Sequence, residues 1–442
     1  MPANRAITIA IALLFASLEV SAEEQRYLRA YESLSLYKGP SESGVDTSTM
    51  DRKVMCGYQG WFRTPKDGSG LSWQHYRRAG RFQPGYCSID LWPDLSEFDE
   101  DEKQDTKFRH SDGRVAQVFS SLNQKTVDRH FRWMKDYGID GAFVQRFALH
   151  ARPGIGYDGL AADNRKLLAC REAANKSGRA YALMYDLTSL RDGDFDRLYR
   201  DWKLLRNRMR ITKDPAYLRH DGRPVVAVWG VGFDDRKRGY SLKVVEEFIR
   251  FLKDNPDYGK CSVVLGVPTG WREQKHDATK DPELHRILKM ADVISPWSVG
   301  RYALNVEIEK HAAEYWRPDG EWCRQHILDY LPVVFPGFSW HNMHAGKRRL
   351  NQIPRRGGQF YWKQILEAKG AGARMLYVAM FDEIDEGTAI LKCTNDPPIG
   401  RSPFATYEGK PSDHYLWLTG QAARLIREEL PQRAASDRRT GK

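Results

Sequence analysis

The chain has 442 residues, an apolar fraction of 41% and a formal net charge of +11. That length suits one large domain or two modest ones, and the apolar content supplies a sizeable core, which excludes a disordered chain. Arg and Lys are spread along the sequence and not gathered into a stripe, so nucleic acid is not the expected partner; a solvated surface or an anionic glycan suits the excess better.

The first residues, MPANR, are positively charged, 6–18 is an apolar run, and Val20-Ser21-Ala22 fits a small-residue cleavage site. This pattern predicts a secretory signal peptide over 1–22, cut near Ala22, and hence a periplasmic or secreted protein. The apolar run is too short to span a bilayer comfortably and no later stretch approaches it, so the mature chain is expected to have no membrane span. There are six cysteines, and no CxxC pair among them suggests zinc. Export permits disulfides, but the spacing assigns no pairing, and Cys56 and Cys170 lie in apolar segments that read as buried thiols.

After a helix-like 23–43, eight short β-prone runs follow in order: 54–62, 139–147, 181–185, 224–229, 261–267, 292–297, 331–335 and 375–381. Between them lie helical patterns over 123–137, 160–176, 195–208, 241–254, 282–290, 307–316, 322–330 and 360–370, with a last helix over 414–429 and a disordered basic tail over 431–442. Gly138 reads as a helix C-cap. The connection 63–124 is too long for an idle loop and is expected to wall one side of a cleft. Strands alternating with helices argue for parallel β/α units, and eight units for a closed (β/α)8 TIM barrel, an α/β fold, as a single domain over 23–430 with a long loop after strand 1. No GxGxxG or GxxxxGK[ST] turn supports the rival, a doubly wound open sheet.

In such a barrel the groups after the strands gather at one rim. They are Tyr58, Gln59, Trp61, Gln145, Arg146, Asp186, Trp229, Trp271, Arg272, Trp297, Arg301, Tyr302, Trp340, His341, Asn342, Glu383 and Glu386. Trp at several strand tips beside carboxylates suits a sugar site, because aromatic faces stack on pyranose rings. The densest signal is MLYVAMFDEIDEGTAI, where Asp382, Glu383, Asp385 and Glu386 follow an apolar strand and Gly387 turns the chain. Carboxyls this close cannot all ionise cheaply, so at least one pKa should rise, leaving one acid protonated beside an ionised neighbour. His341 and His344 alone make no metal site, no GxSxG elbow offers a serine nucleophile, and neither metal nor cofactor is expected.

FDEIDEGTA resembles the ExxEGT signature of glycoside hydrolase family 99, the endo-α-mannosidases and endo-α-mannanases. CGYQGWF is similar to that family's first strand, and the two segments together resemble bacterial exported proteins grouped as family 71/99-like, some of them labelled xylosidase or arabinosidase. The resemblance implies a retaining hydrolase without a glycosyl-enzyme bond. Glu386 then matches the general acid/base, and Glu383 the base that takes the proton of the substrate's 2-hydroxyl. Where the family has Asn before the first glutamate and Trp after it, this chain has Asp382 and Ile384, and Asp385 is additional. The resulting expectation is a monomeric secreted enzyme acting on an oligo- or polysaccharide, an α-mannoside first. A xylo- or arabino-configured or anionic glycan, or a non-catalytic sugar-binding barrel, stands as the alternative. The sugar site is expected to draw on Tyr58, Gln59, Trp61, Gln145, Arg146, Asp186, Trp229, Trp271, Arg272, Trp297, Tyr302, Trp340 and His341.

Overall fold

The computed structural model describes residues 21–154, 156–234 and 239–430. The expected signal peptide, apart from its last two residues, and the basic tail lie outside them. Eight parallel strands form the centre: β1 (Val54–Tyr58), β2 (Gly141–Phe147), β3 (Ala180–Asp186), β4 (Arg223–Trp229), β5 (Ser262–Pro268), β6 (Val293–Trp297), β7 (Asp329–Tyr330 continuing as Val333–Val334) and β8 (Leu376–Val378). Each pairs with its neighbour in sequence, and β1 pairs with β8.

Closure runs through β7. Asp329–Tyr330 pairs with β6, while Val333–Val334 pairs with β8. Pro332 sits at the break, and the strand changes partner there: Leu331 N–H donates to Ile294 at 2.9 Å, and Tyr377 N–H donates to the Pro332 carbonyl at 3.0 Å. The strands read as near-continuous Val, Ile, Leu and Ala because both faces are buried, one by the barrel interior and one by the helices.

Most helices fall where the 3.6-residue period placed them, but the one expected over 322–330 ends at Gln325, and Asp329–Tyr330 is strand. Gln124–Tyr137 starts at Asn123, whose side chain accepts from Lys125 N–H, and stops at Gly138 in the left-handed region. Leu242–Asp254 buries Val245, Phe248, Ile249 and Leu252 on one stripe. The expected 307–330 pair is one run, Asn305–His311, a π-turn Ala312–Trp316, and Arg317–Gln325. The expected helix over 23–43 is confined to Ala22–Arg29, before Tyr31 and Leu34 bury against the barrel. No described helix is long and apolar enough to cross a membrane. All six cysteines are buried free thiols.

Arg219–His220, antiparallel to the start of β4, escaped the sequence pattern, and so did a longer element. Within the long connection, Lys103–Arg109 and Val115–Phe119 form an antiparallel hairpin outside the barrel. Its outer strand, KQDTKFR, is almost wholly polar, so periodicity had little apolar content to register.

Candidate active site

The C-terminal end of the barrel holds a cavity of about 970 Å³. Its wall includes Gln59, Trp61, Gln145, Asp186, Trp229, Trp297, Arg301, Trp340, Glu383 and Glu386, from the ends of seven strands. The long connection contributes Arg63, Leu71, Gln74 and His75, so its first part walls one side.

The acidic turn is built by its neighbours. β1 stops at Tyr58 because Asp382 takes the next two backbone amides: Gln59 N–H at 2.8 Å and Gly60 N–H at 2.7 Å. This ties the tips of β1 and β8 together. Gly57 permits the crossing, since a Cβ there would lie 2.2 Å from the Met380 side chain. On the far side Gly387 has φ +66°, and a Cβ on it would meet Ser339 at 3.0 Å. Arg355, buried and unseen by any sequence signal, donates to the carbonyls of Gly387 and Ala389 at 2.8 and 2.6 Å and holds the turn from below.

Glu383 is 3% exposed. Gln59 Nε2 donates to its Oε1 at 2.7 Å and Thr388 Oγ1 to its Oε2 at 2.5 Å. Burial raises its pKa well above the usual carboxylate range; Glu386 and Asp385 push the same way, and the two donors only partly offset them. Glu386 is half-buried on the same cavity wall, and its carbonyl accepts from Ser339 N–H at 2.8 Å. Burial also lifts Asp382, to about 6, against the pull of its two amide donors.

Asp385, fully buried, faces His75, whose Nδ1 lies 3.0 Å from Asp385 Oδ2. The His75 ring stacks on Trp61 at 3.7 Å between centroids and 6° between planes, and Phe147 lies parallel to the indole at 5.5 Å. Desolvation, then Arg63 and His150, shift His75 below the usual imidazole range, although its side chain remains 39% exposed. A second pair, His150 Nδ1 to Asp163 Oδ2 at 2.8 Å, borders the cavity. Asp163 is buried, which works against ionisation. Lys166 at 3.1 Å and His150 nevertheless hold its pKa well below the usual range. Lys166 also donates to the carbonyls of Gln59 and Gln145, at 3.1 and 2.7 Å, fixing the tips of β1 and β2.

Six expected sugar-site residues do not reach the cavity wall. Tyr58 points into the helix layer and bonds His130 Nδ1 at 3.0 Å. Arg146 turns outward to Asp201, which also accepts from Tyr31 and Tyr185. Trp271 and Arg272 both bond Asp319, at 3.1 and 2.8 Å. Tyr302 is buried and donates to Gln364 at 2.9 Å. His341 bonds the Arg348 carbonyl at 2.7 Å. Strand alternation explains Tyr58 and Arg146: each neighbours a residue, Gln59 or Gln145, that does face the cavity. Asn342 also lies off the wall, bonding the Ile89 and Pro403 carbonyls.

Residues missed from the sequence come mainly from loops: Arg63, His75, His150, Arg348, Gln352 and, behind the wall, Asp90 and Thr388. Asp90 accepts from Ser339 Oγ and from the amides of His341 and Asn342, at 2.5, 2.7 and 2.8 Å, and so seats the loop that carries Trp340. Among the described residues, the one His/Asp group compact enough for a cation is His220, Asp221 and Asp329, at the opposite end of the barrel.

A cavity at the C-terminal rim, with two glutamates from the turn after β8 and several aromatic side chains on its wall, invites comparison with sugar-active barrels. The barrel is the fold of a glycoside hydrolase family 99 endo-α-mannosidase. The structure of the GH99 endo-alpha-mannosidase from Bacteroides thetaiotaomicron aligns with a TM-score of 0.61 and 15% identity, over 86% of this chain and 99% of that one. A complex of a Bacteroides GH99 endo-alpha-mannosidase with BIS-TRIS-propane aligns at 0.59 and 14% identity, over 86% and 99%. A structure described as a glycoside hydrolase-like protein aligns at 0.52 and 14%, over 86% and 96%. No protein-family model and no curated protein matches the sequence.

Proposed function

We propose that the chain is a retaining glycoside hydrolase that cleaves an α-linked glycan, with an endo-α-mannoside as the leading substrate. The observation that carries this reading is the pairing of Glu383 and Glu386 on one cavity wall, the first buried and held by Gln59 and Thr388, the second nearer solvent. Fold likeness to endo-α-mannosidases supports it. The predicted signal peptide adds export to the periplasm or beyond.

In this reading the Glu383 carboxylate accepts the proton of the sugar 2-hydroxyl while that oxygen attacks the anomeric carbon. For this step Glu383 must be ionised, the form to which Gln59 and Thr388 donate. Glu386 gives its proton to the glycosidic oxygen as the C–O bond to the leaving group breaks. Water then opens the strained C1–O2 ring at the anomeric carbon. Glu386 takes the water's proton and Glu383 returns its own to O2, so both carboxyls end as they began. Two displacements at one carbon retain configuration. Trp61, Trp229, Trp297 and Trp340 on the wall offer stacking faces for the flanking sugars.

The test is hydrolysis of a panel of α-linked oligosaccharides, mannans included, by wild type and by Glu386→Gln. Turnover should fall by about 10²–10⁴ in the variant while binding survives. Hydrolysis at an unchanged rate would overturn the assignment. Binding by both proteins with no turnover by either would make the barrel a sugar-binding protein.

A further inference from the structure

The cavity wall is not uniform in charge. Around the acidic turn the wall guanidiniums are matched, Arg63 by Asp163 at 3.9 Å and Arg301 by Asp277 at 2.6 Å, and the two wall histidines bond Asp385 and Asp163. The loop after β7 differs. Lys347, Arg348 and Arg349 are three successive exposed cations, and none has a carboxylate partner among the described residues. Arg348 is the one of the three that lines the cavity.

This loop is held in place. Asp90 binds its start, Asn351 N–H donates to Ser339 Oγ at 2.8 Å, and Gly346 N–H to the His341 carbonyl at 2.8 Å. His341 in turn bonds the Arg348 carbonyl, so the backbone that carries the guanidinium is anchored directly. The same stretch brings Trp340 and Gln352 to the wall, and the buried atoms Trp340 Nε1 and Gln352 Oε1 have no protein partner. Buried polar atoms without partners are costly unless a ligand or water meets them.

An aromatic face, an indole N–H, an amide oxygen and an unneutralised guanidinium on one wall make a subsite with a definite preference. We propose that this is a subsite for a sugar unit bearing an anionic oxygen group, a carboxylate or a sulfate ester, so that the substrate is an acidic glycan. The ring would stack on Trp340, and Arg348 would take two of the anion's oxygens through its planar fork. The group belongs beside the cleaved bond and not at it, because Glu383 and Glu386 would repel an anion there. The inference rests on the hydrolase reading for the role of the cavity, but binding tests it without turnover.

The experiment is calorimetric titration of Glu386→Gln, with and without Arg348→Ala and Arg348→Lys, against three matched oligosaccharides: neutral, uronate-bearing and sulfated. An acidic ligand should bind more tightly than the neutral one. Arg348→Ala should cut the ratio of acidic to neutral association constants by about tenfold, the scale of one charge-assisted contact. Arg348→Lys should recover only part of it, because ammonium lacks the fork. The preferred acidic ligand distinguishes carboxylate from sulfate. Equal binding of all three, or a ratio that Arg348→Ala leaves unaltered, overturns the subsite even if the enzyme hydrolyses neutral glycans. Acidic-ligand selectivity together with full turnover by Glu386→Gln would keep the subsite and overturn the catalytic assignment.

Discussion

Two pairs of carboxylates at opposite ends of the barrel are held in opposite ways. At the N-terminal end Asp140 and Asp292 are each met by a full cation. Asp140 receives Arg427 Nη1 at 2.9 and 3.0 Å and Val54 N–H at 2.8 Å. Asp292 receives Arg223, Lys253 and Val263 N–H at 2.8, 2.9 and 2.8 Å. At the C-terminal end Asp382 and Glu383 are more deeply enclosed, yet their direct partners are neutral: backbone amides, Gln59 and Thr388. The first arrangement fastens strand starts to the helix layer. Burial raises the pKa of Asp140 as well, against the pull of Arg427; in the second arrangement only neutral direct donors oppose burial, which costs stability when the acids ionise and is useful only if a proton must move.

Replacing one carboxylate at each end separates these roles. Glu383→Gln keeps the shape and lets the amide meet Gln59 and Thr388, so the fold should persist while turnover falls by about 10²–10⁴; retained turnover would end its role as base. Stability should respond less to pH in the same variant. A carboxyl whose folded pKa is raised adds stability that is full below its unfolded pKa, about 4.3 for Glu, and is lost as pH rises through the folded value. Thermal melts of wild type should therefore lose more stability than those of Glu383→Gln as pH climbs from about 5 upward.

Asp140→Ala should do the reverse. It leaves Val54 N–H without a partner and Arg427 without a counter-charge, and should cost about 2 kcal/mol in denaturant unfolding, since Arg427 is itself partly solvated. Turnover per folded molecule should hold, because the cavity lies at the other end. Lost turnover with unchanged stability would contradict this division of the barrel.

The smallest effect sharpens the comparison. Thr388→Val deletes a hydrogen bond that favours the ionised form of Glu383, so its pKa rises further. The acid limb of kcat/KM should move up by about one pH unit. An acid limb that stays in place would assign that limb to another group.

Eight apolar runs spaced by 3.6-period segments were legible as a barrel because burial on both faces leaves a near-continuous Val, Ile and Leu signature. The crowding of Asp382, Glu383, Asp385 and Glu386 in five residues made a raised pKa legible through charge repulsion, but the larger cause, burial, belongs to the folded structure. Gln59 and Gln145 were within reach because strand ends must face the rim. What separated Gln145 from Arg146, or Gln59 from Tyr58, was which way alternate side chains turned, and register is a property of the whole sheet.

Other features depended on tertiary structure alone. His75 reaches Asp385 across 310 positions, Asp90 reaches Ser339 across 249, and Arg355 braces Gly387 from a different segment. Lone His, Asp and Arg residues in loops carry no periodic signal, and their partners are chosen only when the chain closes. The sequence determined the barrel and the acidic turn through local pattern and local charge. The folded structure decided which acids are neutralised, which face the cavity, and where an unmatched cation stands beside them, because those outcomes depend on distances between residues far apart in the chain.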